Sequence, residues 1–195
     1  NNICEMGYAV SKIYARSIIE EFSIRFDENI HCLEDLLFMY QYLLHCDYLV
    51  LNHMQNYVYV KHSFSLSHRI HSFESEYCCF VKYQQLLAEM MKVWKIPAGD
   101  MVVTVNSMLV PFRRALKSDY QPDRTIPREM RVKHLKRMIS ESRDVFLKYY
   151  HPVFKTDKLG KVLLGFNCYI LYDFYIRLLF RLNIGPVFYG PKHMY

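Results

Sequence analysis

No Asp-x-Asp pair occurs anywhere in the 195 residues, and the 6 glycines are too scattered to make a glycine-rich phosphate loop. The chain therefore lacks both common cradles for a nucleotide diphosphate. Its 6 cysteines, at 4, 32, 46, 78, 79 and 168, contain no Cys-x-x-Cys pair and no compact framework spacing. They read as free thiols in a reducing compartment. There is no internal repeat and no low-complexity segment. The chain opens at Asn1 with no basic region leading into a short apolar one, so no signal peptide is expected.

What is present is charge, divided unevenly. Residues 1–67 carry 4 Lys+Arg against 8 Asp+Glu, net −4, whereas residues 68–195 carry 21 against 11, net +10. A basic second half suits either an anionic partner, membrane or nucleic acid, or an ordinary solvated helical surface.

The most specific stretch is Ile24 to Phe38, with four carboxylates between Asp27 and Asp35. Ile24, Arg25 and Phe26 alternate as a short half-buried strand does. Leu33, Leu36, Leu37, Tyr40, Leu43 and Leu44 then recur at amphipathic helical spacing. Glu34 and Asp35 fall in the first turn of that helix, where unpaired N–H groups and the helix dipole favour anions. Stabilising a helix start is the plain role for such a pair.

The surrounding pattern adds a chemical one. Ser11 to Leu43 resembles the acceptor-side segment of family 2 glycosyltransferases, in which a helix beginning K-[IL]-[YF] leads into an I-x-F-[DP]-E strand and an E-D-x-x-F helix. Lys12, Ile13, Tyr14, Arg16, Ile18, Ile19, Ile24, Phe26, Glu28, Glu34, Asp35 and Phe38 stand at the matching places. Tyr57 to Ser67 is similar to the Y-x-Y-x-x-H-x-x-S-x-S segment of the same family. The resemblance implies an inverting GT-A enzyme of surface-polysaccharide synthesis, working in the cytoplasm or peripherally on the inner membrane face.

In such a transfer the acceptor hydroxyl loses a proton as it attacks the anomeric carbon. The resemblance assigns that proton to Asp35 as general base, with Glu34 orienting the acceptor or the helix start. For Lys12 two readings stay open, a contact to a diphosphate and a solvated surface lysine. His62, with Ser65 and Ser67, stands where such enzymes approach the leaving diphosphate and its metal, but one imidazole without neighbouring ligands is weak for a metal site. The Mg²⁺ or Mn²⁺ ion and the nucleotide-sugar are expected in a half of the enzyme that this chain lacks, so transfer by this chain alone is not expected. The acceptor is a saccharide or a lipid-linked saccharide. The alternative is a non-enzymatic helical interaction or membrane-docking module.

Tyr48–Leu51 and Tyr57–Val60 read as two further short strands. From residue 68 onward helices take over. Phe73 to Trp94 is one, ended at Ile96-Pro97-Ala98-Gly99. Asp100 caps a second, running to about Lys117 with a kink or break at Pro111. A third restarts at Thr125 and stops at His151-Pro152. A helix from Ser11 and a last one from Lys158 to about Asn183 complete the set. The fold class is thus α+β and mainly helical: short strands in an acceptor-side portion, residues 1–67, then an all-α bundle, residues 68–195.

The last helix is apolar nearly all round, with Asp173, Arg177 and Arg181 spaced at four residues. A membrane span would place Asp173 and Arg177 in hydrocarbon at a cost of about 2.5–3.5 kcal/mol each, so none is expected. Bundle core and membrane interface both remain open for it. Arg128, Arg131, Lys133, Lys136 and Arg137, beside Met130, Leu135, Met138 and Ile139, form a candidate cluster for anionic lipid. Nucleic acid is not expected, because no aromatic residues interleave with those basic ones.

Overall fold

Ser72 opens the longest helix by accepting a hydrogen bond on its Oγ from the Ser75 N–H. Glu74 and Glu76 follow in the first turn and Lys92 lies in the last, each complementing the helix dipole. In the computed structural model, which describes residues 9–51, 57, 58, 60, 69–121, 125–152, 154–182 and 184, this helix is α3, Phe73–Val93. It is preceded by α1, Arg16–Glu21, and α2, Glu34–Leu43, and followed by α4, Met101–Ser107, and α5, Leu109–Asp119. Then come α6, Arg128–Ser142, α7, Lys155–Gly165, and α8, Tyr169–Leu182.

The described residues are mainly helical. Their single core forms where α3 packs along α5, with α2 and α6 against α3, and α8 against α6 and α7. Phe80, Tyr83, Phe112, Leu135, Ile139 and Phe146 are among its buried members. Each such side chain contributes about 1.5–3 kcal/mol by leaving water.

No strand forms among the described residues. Ile24 to Phe26 is an unpaired linker, in which Ile24 is buried and Phe26 stacks on Phe38 with ring centroids 4.5 Å apart. Tyr48 to Leu51 lies exposed and unladdered, as do 57, 58 and 60. Strand propensity there meets no second strand among the described residues, and without one the alternation has nothing to specify.

The expected helix from Ser11 begins only at Arg16. Ser11 stands at φ 62°, five residues short of the helix, and Ile13 is fully exposed. Three helices end in the same way: Ser23, Lys95 and Asn167 each adopt positive φ. In each case the next N–H reaches back to the carbonyl five residues earlier, Ile24 to Ile19 at 2.9 Å, Ile96 to Met91 at 3.1 Å and Cys168 to Leu163 at 2.8 Å. These are Schellman closures made without glycine. The third divides the long terminal helix expected from Lys158 into α7 and α8.

The break expected at Pro111 falls at Met108, between α4 and α5. Proline has no N–H for the Ser107 carbonyl and its ring crowds that carbonyl, so the disruption lies one turn upstream. The third helix runs as expected to the end of its pattern, continuing past Ser142 through a wider π-turn at Arg143–Leu147 that keeps Phe146 in the core.

Candidate functional site

The loop from Asp27 to Leu33 sets the position of the acidic pair. Asp27 pairs with Lys82 of α3 and accepts from the Asn29 N–H at 2.9 Å, while the His31 N–H donates to Ser75 Oγ at 3.3 Å. Ile30 is buried between these ties. Leu33 then takes φ 65° and ψ 13°, a left-handed conformation for a residue with a branched side chain, immediately before Glu34. Such a conformation costs roughly 1–2 kcal/mol, which the packing of Leu33 on the core offsets. Glu34 and Asp35 emerge in the first turn of α2.

Asp35, Phe38 and Tyr42 lie at i, i+3 and i+7, on one side of α2. The segment 9–15 lies across that side. Tyr14 meets Phe38 edge-on at 5.5 Å and Tyr42 at 4.8 Å, and its hydroxyl donates to the Ala9 carbonyl at 3.0 Å. The Tyr42 hydroxyl accepts from the Ala15 N–H at 2.7 Å. Asp35, half-buried beneath this cover, accepts from the Leu36 N–H on Oδ1 at 2.8 Å.

Burial raises the Asp35 carboxyl above its ordinary value; the Leu36 N–H pulls it down, Glu34 pushes it further up, and the Ala9 N–H opposes. Burial lowers Lys12, and the charge of Asp35 raises it in part. Tyr14 is pushed up to about 12, first by burial and then by Asp35. A carboxylate with raised proton affinity, an ammonium within its field and a phenol above it can accept a proton and hold a polar oxygen. Other buried or half-buried carboxylates each face a partner side chain: Glu76 meets Arg114 at 2.7 Å, Asp157 meets Arg113 at 2.7 Å, Asp173 meets Arg131 at 2.6 Å, and Asp119 meets the His134 ring at 2.8 Å.

Comparison of the chain with protein-family models, curated proteins and solved structures gives no match.

Of the residues singled out by the sequence, Lys12, Glu34 and Asp35 come together; His62, Ser65 and Ser67 lie outside the described residues. Tyr42 is the member that sequence reasoning missed. Its only signal was the seven-residue spacing from Asp35. Among the described residues no three His, Cys, Asp or Glu side chains converge to hold a metal, so the divalent ion implied by the resemblance finds no ligand set there. The five described cysteines are thiols, and burial pushes Cys32, closest in sequence to the pair, up to about 11, away from nucleophilic reactivity.

The basic cluster on α6 is divided, with Arg128, Lys133 and Lys136 exposed and the rest engaged within the fold. Arg131 is buried and holds Asp173, Arg137 pairs with Glu74 at 2.9 Å, and Leu135, Met138 and Ile139 all face the core.

Proposed function

We propose that the chain is the acceptor-side and helical portion of an inverting glycosyltransferase of the family 2 type, in which Asp35 is the general base. In the reaction the acceptor oxygen bonds to the anomeric carbon of a nucleotide-sugar as its proton passes to Asp35. The bond to the nucleoside diphosphate breaks in the same displacement. The observation that carries this reading is the setting of Asp35: a half-buried carboxylate with raised proton affinity, overlaid by Lys12 and Tyr14, behind a residue in left-handed strain. Strain of that kind gathers at functional sites. The acceptor is a saccharide, free or lipid-linked, at the cytoplasmic face of the membrane, and the divalent ion and nucleotide-sugar belong to the enzyme's other half.

A second reading, a non-enzymatic helical docking module, is favoured by the outward apolar face of α7 and α8. The upstream reading frame separates the two, since alternating strands ending in Asp-x-Asp there support the enzyme. The direct test uses the complete enzyme and a panel of nucleotide-sugars. Asp35→Asn is expected to lower transfer by about 10²–10⁴-fold while nucleotide-sugar binding, measured by calorimetry, stays near normal. Near-normal turnover of that variant removes Asp35 from the role.

A further inference from the structure

α7 and α8 pack into a hairpin whose two sides differ sharply. Gly160 lets α7 approach α8 closely, because a Cβ there would lie 3.2 Å from the Tyr172 ring. The inner side buries Leu164, Tyr172, Ile176 and Leu179. The outer side leaves Val162, Phe166, Ile170, Leu171, Phe174 and Leu178 in solvent, with Phe166 78% and Phe174 68% exposed. Those of α8 recur at one-, three- and four-residue steps and so share one side of the helix. An apolar surface of this kind on a folded chain marks an interaction site.

The charges identify the partner. Lys155, Lys158, Arg177 and Arg181 are exposed on the same two helices, whereas the hairpin's two carboxylates, Asp157 and Asp173, turn inward to Arg113 and Arg131. The outward face therefore carries four cations and no carboxylate. Phe and Leu beside Lys and Arg is the composition of a helix that lies in a membrane interface, while protein interfaces are depleted in lysine. At about 1.5 Å per residue α8 is too short for the roughly 30 Å of hydrocarbon, and among the described residues no helix is long and apolar enough to cross a membrane.

We propose that the outward face of the α7–α8 hairpin docks on an anionic lipid surface, with Phe166, Leu171 and Phe174 at the boundary between headgroups and acyl chains. Lys155, Lys158, Arg177 and Arg181 meet the anionic headgroups. This holds whether or not the chain takes part in sugar transfer.

The test is flotation of the 195-residue chain with phosphatidylcholine vesicles, alone or with roughly one third phosphatidylglycerol. Binding to the anionic vesicles is expected to be at least about tenfold tighter and to weaken with salt. Arg177→Gln with Arg181→Gln is expected to weaken it by about 25-fold, at about fivefold per cation. Phe166→Ser with Phe174→Ser is expected to reduce binding to both vesicles, with an unchanged circular dichroism spectrum because both side chains are exposed. Equal binding to the two vesicles, or binding untouched by these substitutions, overturns the proposal. So does binding lost instead on Lys133→Gln with Lys136→Gln on α6. Self-association abolished by the Phe substitutions, without vesicle binding, overturns it in favour of a second copy of the chain.

Discussion

Arg131 on α6 grips Asp173 on α8 with two hydrogen bonds, Nε to Oδ1 at 2.6 Å and Nη2 to Oδ2 at 2.9 Å, and the Tyr120 hydroxyl donates to the same Oδ1 at 2.8 Å. Burial alone would raise the Asp173 carboxyl, but the hydrogen bonds from Arg131 and Tyr120 outweigh it and hold the group below its ordinary value. The pair thereby fixes which side of α8 faces inward. Asp173→Asn leaves a buried guanidinium without its counter-charge and is expected to cost about 3–5 kcal/mol in urea unfolding. Arg131→Met combined with Asp173→Leu is expected to cost less than the two single changes added, because no uncompensated charge remains.

The Asp35 carboxyl is shifted the other way, and that sets a pH dependence. Its folded carboxyl is raised by burial above the usual 3.8, so the folded chain keeps this proton to higher pH than the unfolded chain does. Stability from this group is therefore lost as pH rises from that value through the folded one, and the ionised form costs stability at neutral pH. Asp35→Asn is expected to raise the urea midpoint at pH 7 and to leave it unchanged below 3.8, where both side chains are neutral. A lower midpoint at pH 7 would show that the ionised carboxylate supports the helix start instead.

These two residues also show what was legible in the sequence. The acids at the start of α2 stand out locally, because helix dipole and first-turn chemistry act within a few residues. Likewise Phe73 to Met90 carries its own period, and α3 follows it closely. The orientation of α8 was not legible, because a helix apolar nearly all round, whose charged stripe carries both Asp173 and Arg177, shows no preferred inner face until Arg131, 42 residues earlier, is in place. The same distance problem hid the burial of Arg131 and the hydrogen bond of Tyr42 with Ala15, 27 residues earlier. The division of α7 from α8 rests on Asn167 taking a conformation that glycine more often marks.

Helix closure by residues other than glycine leaves stability to be gained. Lys95, with φ 51°, closes α3 and is itself exposed. Lys95→Gly removes the steric cost of the left-handed conformation and keeps the hydrogen bond from the Ile96 N–H to the Met91 carbonyl. The gain expected is about 1 kcal/mol, lessened by the added freedom of the unfolded chain, or about 2–4 °C in thermal unfolding. Lys95→Ala keeps the Cβ, and is expected to give no such gain.

Tyr42 provides the sharpest check on the assembly around Asp35. Its hydroxyl is the acceptor for the Ala15 N–H at 2.7 Å, and its ring supports Tyr14, which lies within the field of Asp35. Tyr42→Phe keeps the ring and deletes the acceptor alone. The loss of one such bond costs about 0.5–1.5 kcal/mol locally, so the Ala15 amide is expected to exchange about 2- to 10-fold faster with solvent deuterium, while amides of α3 keep their rates. Loosening the segment exposes Asp35 further and lets its carboxyl fall back toward the ordinary value, a change that carboxyl NMR on labelled protein reads directly. A Tyr42→Phe chain with an unaltered Ala15 exchange rate and an unaltered Asp35 titration would show that the cover over Asp35 is held by the Tyr14 ring contacts and not by this hydrogen bond.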